Sequence, residues 1–142
     1  MTAVLTRDGL NRWLERLTQS RKVIAPRVED GVLLFQQIGS PKEAVLDGKT
    51  AISPKGWVHL QTEVLFRVEK RDGATVLESP SEPPEQVLFA VRPCDARGIR
   101  HIDKVMLGAP EDGVYAGRRR RTALVGLACS QAAPECFCTS LG

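Results

Sequence analysis

QVLFAVRPCDARGIRHIDKVMLG, residues 86–108, decides how this chain folds. It opens with six consecutive apolar or amide-bearing residues, Gln86 to Val91, without polar alternation. Such a run is the pattern of a strand covered on both faces. Ile99, Ile102, Val105 and Met106 then recur at helical spacing, and Gly108 supplies a stop. A turn-rich GAPEDG follows at 108–113, then VYAGRRRR at 114–121, which reads as a short helix, and TALVGLAC at 122–129, a second buried strand. Strand, helix and strand in this order imply a parallel pair joined by a right-handed crossover.

The first part of the chain has a different character. Leu10, Trp13, Leu14 and Leu17 recur at i, i+3, i+4 and i+7, so residues 6–19 read as an amphipathic helix with Thr6 or Asp8 as its N-cap. KVIAP, GVLLFQQI and EVLFRVEK are short strand candidates. Asp30-Gly31 and Asp72-Gly73 are turn dipeptides, the second joining EVLFRVEK to ATVLES as a hairpin. Residues 39–56 carry too many turn formers for a long regular element, and SPSEPPE at 79–85 reads as a linker. The expectation is a single domain of α/β class with a mixed sheet: an irregular α+β half over about 1–78, a linker at 79–85, and a small β-α-β half over 86–142.

A chain of 142 residues is long enough to bury a core without disulfides. Its formal net charge of +3 and its five per cent of aromatic residues give no footprint for nucleic acid. No apolar stretch is long enough to span a membrane. The start, MTAVLTRDGLNRW, lacks the pattern of a secretory signal, which points to the cytoplasm and away from stable disulfides.

Four cysteines are the chemical signal. Cys94 follows the first buried strand, Cys129 ends the second, and Cys136 and Cys138 come shortly after. Parallel strands have their carboxyl ends on one edge of a sheet, where ligands of open α/β sheets bind. Topology alone therefore carries Cys94 and Cys129 to one rim, and the loop through Pro134 is short enough to fold back over it. Four thiolates suit tetrahedral zinc or an iron–sulfur cluster. The spacing Cys-x34-Cys-x6-Cys-x-Cys lacks the paired knuckles of structural zinc sites and also misses the common ferredoxin runs. A [4Fe–4S] cluster, zinc, and ordinary buried or reactive cysteines all stay open on this reading. Cys94 is placed at a helix start, where backbone amides favour a thiolate.

Other polar residues have more ordinary readings. Asp95 is expected to cap the helix that begins at 96. Arg92 is adjacent enough to donate hydrogen bonds to a cluster. Arg118 to Arg121 read either as a docking face for an acidic partner or a phosphate, or as a solvated helix end. His59 and His101 are not expected to be ligands. No glycine-rich phosphate loop and no nucleophile–base pair is recognisable, so no catalytic residue is assigned.

VLFAVRPCDARGIRHIDKVM, YAGRRRRT, ALVGLACSQAAPECFCTSLG and the earlier TAISPKGWVHLQTEVLF together resemble the N-terminal region of one iron–sulfur family. It comprises the beta subunits of cytoplasmic sulfhydrogenase-type NiFe hydrogenases and the A subunits of anaerobic sulfite reductases, with their 4Fe-4S dicluster domain. The resemblance covers most of residues 40–142 and is most specific at Arg92-Pro93-Cys94-Asp95 and at the Cys-Phe-Cys-Thr-Ser ending. It implies an electron carrier between a flavin- or nicotinamide-binding subunit and a catalytic oxidoreductase subunit. It also implies one [4Fe–4S] cluster on Cys94, Cys129, Cys136 and Cys138. Family members continue into a ferredoxin-like module with two further cluster motifs. These are lacking here, so the resemblance implies that the chain is the N-terminal part of a longer subunit. The alternative is a zinc-binding or metal-free interaction domain that docks a partner subunit.

Overall fold

A computed structural model describes residues 4–79, 81–134, 136 and 138. Four strands form one sheet in the order β2-β1-β5-β6. They are β1 (Lys22–Glu29), β2 (Val32–Ile38), β5 (Gln86–Val91) and β6 (Thr122–Gly126). Two further strands, β3 (Arg67–Arg71) and β4 (Ala74–Glu78), pair with each other and, among the described residues, with no other strand. The described residues also form three helices: α1 (Arg7–Ser20), α2 (Pro93–Met106) and α3 (Gly113–Arg120).

The sheet is mixed, as the α/β reading expects. β1 and β2 are an antiparallel hairpin turned at Asp30-Gly31. Both turn residues have positive φ, 50° and 78°, the conformation that a two-residue turn matched to strand twist demands. β5 runs parallel to β1 on one side and to β6 on the other. The strand–helix–strand expectation for residues 86–126 is therefore met, and every residue of β5 is buried. A strand from the first part of the chain also sits beside β5, so both parts contribute to one sheet.

Each face of the sheet has its own core. On one, Leu14 of α1 packs with Val23, Ala25, Ile38, Phe89 and Ala90. On the other, Ile99 of α2 and Tyr115 of α3 pack with Ile24, Phe35, Val58, Leu88 and Val91. Strand residues should alternate between faces, yet Phe89 and Ala90 share one. A bulge explains this: Phe89 pairs with Val125 and Val91 with Gly126, leaving Ala90 as an extra residue with φ of 63°. The bulge resets the alternation, so that Val91 returns to the α2 face immediately before the chain enters that helix.

Several boundaries differ from the expectations. Thr6, not Asp8, caps α1, its hydroxyl accepting from Gly9 N–H at 3.1 Å. Ile99, Ile102 and Met106 face inward on α2, but Val105 is 75% exposed and belongs to the outer face. The strand expected from Glu63 starts only at Arg67; Val64, Leu65 and Phe66 precede it. The turn-rich stretch after β2 contains two short 3-10 turns, Pro41–Glu43 and Pro54–Trp57. The latter packs against α2 and is tied to the sheet by Gln86, whose Nε2 donates to Trp57 O and to Thr122 Oγ1, each at 2.9 Å.

Candidate functional site

The carboxyl ends of β5 and β6 lie side by side. Val91 pairs with Gly126, and the next residue, Leu127, donates its N–H to Val91 O at 2.9 Å. From this shared edge the β5 chain passes through Arg92 into α2, where Cys94 is the second residue. The β6 chain leaves the same edge and reaches Cys129 two residues after Leu127. The strand adjacency expected from the sequence, β5 parallel to β6 with carboxyl ends on one edge, is present.

Pro93 occupies the first position of α2, where a missing N–H leaves no bond unmade. Cys94 thus sits in the first turn, among amide groups without intrahelical acceptors. It is exposed, as are Cys129, Cys136 and Cys138, and all four thiols are free. Cys136 closes a local turn: its N–H donates to Ala133 O at 2.9 Å, and Ala133 N–H donates back to the sulfur at 3.3 Å. Among the described residues no three His, Cys, Asp or Glu side chains are gathered as they would be around a metal ion.

The neighbours of Cys94 have roles that sequence reasoning did not assign. Asp95 does not cap α2, which begins two residues earlier at Pro93 with Arg92 at the cap position. Its carboxylate instead accepts from Ser53 Oγ at 2.6 Å, joining the first turn of α2 to the Pro54–Trp57 turn. Arg92 sends one guanidinium nitrogen to the carbonyls of Leu46 and Gly48, both at 2.9 Å. It anchors the 46–48 segment to the chain between β5 and α2.

The arginine run is divided: Arg120 is a solvated helix end, its side chain 69% exposed, while the other three are engaged in ion pairs. Arg118 pairs with Glu63, and Arg119 with Asp103 at 2.9 Å. Arg121 pairs with Glu82 at 2.9 Å, and Arg120 reaches Glu111 at 3.5 Å. Asp103 also accepts from Tyr115 Oη at 2.6 Å. Burial, reinforced by that carboxylate, pushes the Tyr115 phenol well above its ordinary range, so it stays protonated and donating. Three of the four arginines therefore fasten α3 to other parts of the fold. His59 and His101 are exposed, His59 lying 6.1 Å from the Tyr115 ring between centroids.

The bulge at Ala90 is a further feature that sequence reasoning missed. No glycine marks it, because alanine holds the left-handed position.

No protein-family profile matches the chain. No solved structure matches it either. The chain is similar to sulfhydrogenase 2 subunit beta of Pyrococcus furiosus, at 32% identity over 133 residues. The matched region is 92% of this chain and 38% of that protein, so the chain spans less than half of its relative.

Proposed function

We propose that this chain is part of an iron–sulfur subunit of a cytoplasmic, hydrogenase-type oxidoreductase, of the sulfhydrogenase beta family. Cys94, Cys129, Cys136 and Cys138 hold one [4Fe–4S] cluster in this reading. The subunit passes electrons between a flavin- or nicotinamide-binding partner and a catalytic subunit. The observation that carries the reading is the 32% identity to a sulfhydrogenase beta subunit across nearly the whole chain.

The residues suit such a group in number and chemistry. Four free, exposed cysteines are the donor set of an all-cysteine cluster. Two of them leave a single sheet edge on adjacent parallel strands. When bound, the cluster supplies a one-electron relay. The chain's own residues supply its setting. First-turn amides of α2 without intrahelical acceptors stand beside Cys94, and the Ala133 amide already donates to the Cys136 sulfur. Arg92 and Asp95, engaged with Leu46, Gly48 and Ser53, hold the approach to Cys94 rigid.

Anaerobic reconstitution with iron and sulfide tests the reading. Iron and acid-labile sulfide in equal amounts, with a paramagnetic signal on reduction, are the expected result. Replacing any one of the four cysteines with serine should lower cluster occupancy. Zinc bound one per chain without sulfide would overturn the assignment in favour of a zinc-holding interaction domain.

A further inference from the structure

The β3–β4 hairpin stands apart from the four-stranded sheet, and among the described residues its strands pair with each other alone. A lone two-stranded hairpin is marginal in water; a third strand or a packed face is needed to hold it. One face of this hairpin is saline: Arg71 pairs with Glu69 and with Glu78, both at 2.7 Å. The other face sets Val68 directly opposite Leu77, and these side chains are 59% and 64% exposed.

The two edges differ in sequence. β3 reads RVEKR, with charge at Arg67, Glu69, Lys70 and Arg71. Charged side chains along an edge oppose the addition of another strand. β4 reads ATVLE and carries charge only at Glu78. Its backbone is also available. The two-residue turn at Asp72-Gly73 sets Arg71 opposite Ala74, so Ala74, Val76 and Glu78 direct their N–H and C=O groups at β3. Those of Thr75 and Leu77 point to the open edge. Among the described residues they meet no other backbone partner.

We propose that β4 is a pairing edge for a second copy of this chain, the two strands running antiparallel about a two-fold axis at Val76. The strand is self-complementary in that register. Thr75 faces Leu77 of the second copy, a pair that exchanges two hydrogen bonds, and the symmetric pair adds two more. Ala74 faces Glu78 of the second copy, and Val76 faces its own equivalent. No like charges are opposed. Moving the axis to Thr75 would set Asp72 against Glu78 of the second copy, which disfavours that register. In the chosen register each row across the four-stranded sheet reads Val68, Leu77 and then Thr75 and Lys70 of the second copy, and the two Leu77 side chains are diagonal neighbours on one face.

Sedimentation of the full chain under reducing conditions tests this, since reduction removes disulfide-linked pairs. A monomer–dimer equilibrium is expected. Leu77→Lys and Thr75→Lys, both at exposed or edge positions, should each weaken association by about tenfold or more. Lys70→Thr on the β3 edge should leave it unchanged. Amide exchange adds a residue-level readout: Thr75 and Leu77 should gain protection as concentration rises, and Val76 should not. A chain that stays monomeric at every concentration overturns the proposal, as does a dimer indifferent to Leu77→Lys. Protection of β4 that arises only on adding a different polypeptide assigns the edge to that polypeptide and overturns pairing with a second copy.

Discussion

Ala90 holds a backbone conformation that a buried alanine rarely adopts. It is 2% exposed, sits in the most buried strand, and holds φ of 63°. A left-handed conformation costs an L-residue roughly 1–2 kcal/mol because Cβ crowds the following carbonyl. Glycine would escape that cost. It would also lose a buried methyl, worth about 0.8 kcal/mol, and would add chain entropy to the unfolded state. These effects oppose one another, so Ala90→Gly should leave stability within about 1 kcal/mol of the parent. Ala90→Val is different, because a β-branched residue is strongly disfavoured at positive φ and overfills a closed site. It should cost more than about 2 kcal/mol. Urea unfolding midpoints of the two variants check this, and equal midpoints for Gly and Val would mean the bulge is not at Ala90. Alanine also explains why the bulge could not be read in advance. An isolated Gly in a strand announces a bulge, whereas Ala in an apolar run looks like ordinary core. The pairings of Arg118 and Asp95 were hidden for a related reason. Their partners, Glu63 and Ser53, lie 55 and 42 residues away in sequence.

At the scale of elements, local pattern carried most of the information. The buried runs of β5 and β6, the inward stripe of α2 and both Asp-Gly turns are short-range features with one dominant physical outcome each. What local pattern lacks is the pairing of β1 with β5, which joins Val23 to Val87 across more than sixty residues and depends on no periodicity. The same long-range geometry creates a polar joint inside the sheet. Gln86 is 6% exposed at the head of β5, and its amide nitrogen donates to Trp57 O and Thr122 Oγ1. Thr122 Oγ1 in turn donates to Arg118 O at 2.8 Å. One side chain thus links β5, β6, the Pro54–Trp57 turn and, through Thr122, the end of α3. Gln86→Leu keeps the bulk and removes the donor, leaving the Trp57 carbonyl without it. A buried acceptor stripped of its partner costs about 1–3 kcal/mol. The loss should therefore fall in that range, read as a lowered denaturation midpoint. It should also raise exposure of the Trp57 indole, seen as a red shift of its fluorescence. A midpoint unchanged by the substitution would show that water takes over the bond and that the joint is not structural.

Across the whole molecule, the sheet fixes two of the four cysteines far better than the others. Cys94 is held by α2, and Cys129 follows an edge pinned by the Leu127–Val91 bond. Past Leu127, the described main-chain bond is the one from Cys136 to Ala133, which lies within the segment and does not tie it to the sheet. If the four thiolates share one cluster, loading joins that segment to the first turn of α2. Ordering a residue's backbone costs roughly 1–2 kcal/mol, and ligation would offset part of it. A group bound by the folded chain alone also raises stability by mass action. Anaerobic reconstitution should therefore slow amide exchange across residues 128–138 and in the first turn of α2 together, and raise the thermal midpoint. In Cys94→Ser the two regions should uncouple, since the serine hydroxyl is a poorer ligand than a thiolate: protection of α2 should fall to the unloaded value. Protection confined to 128–138 in the unmutated chain would mean that Cys94 lies outside the ligand set. The parallel placement of β5 and β6 would then be a feature of the fold without a part in cluster binding.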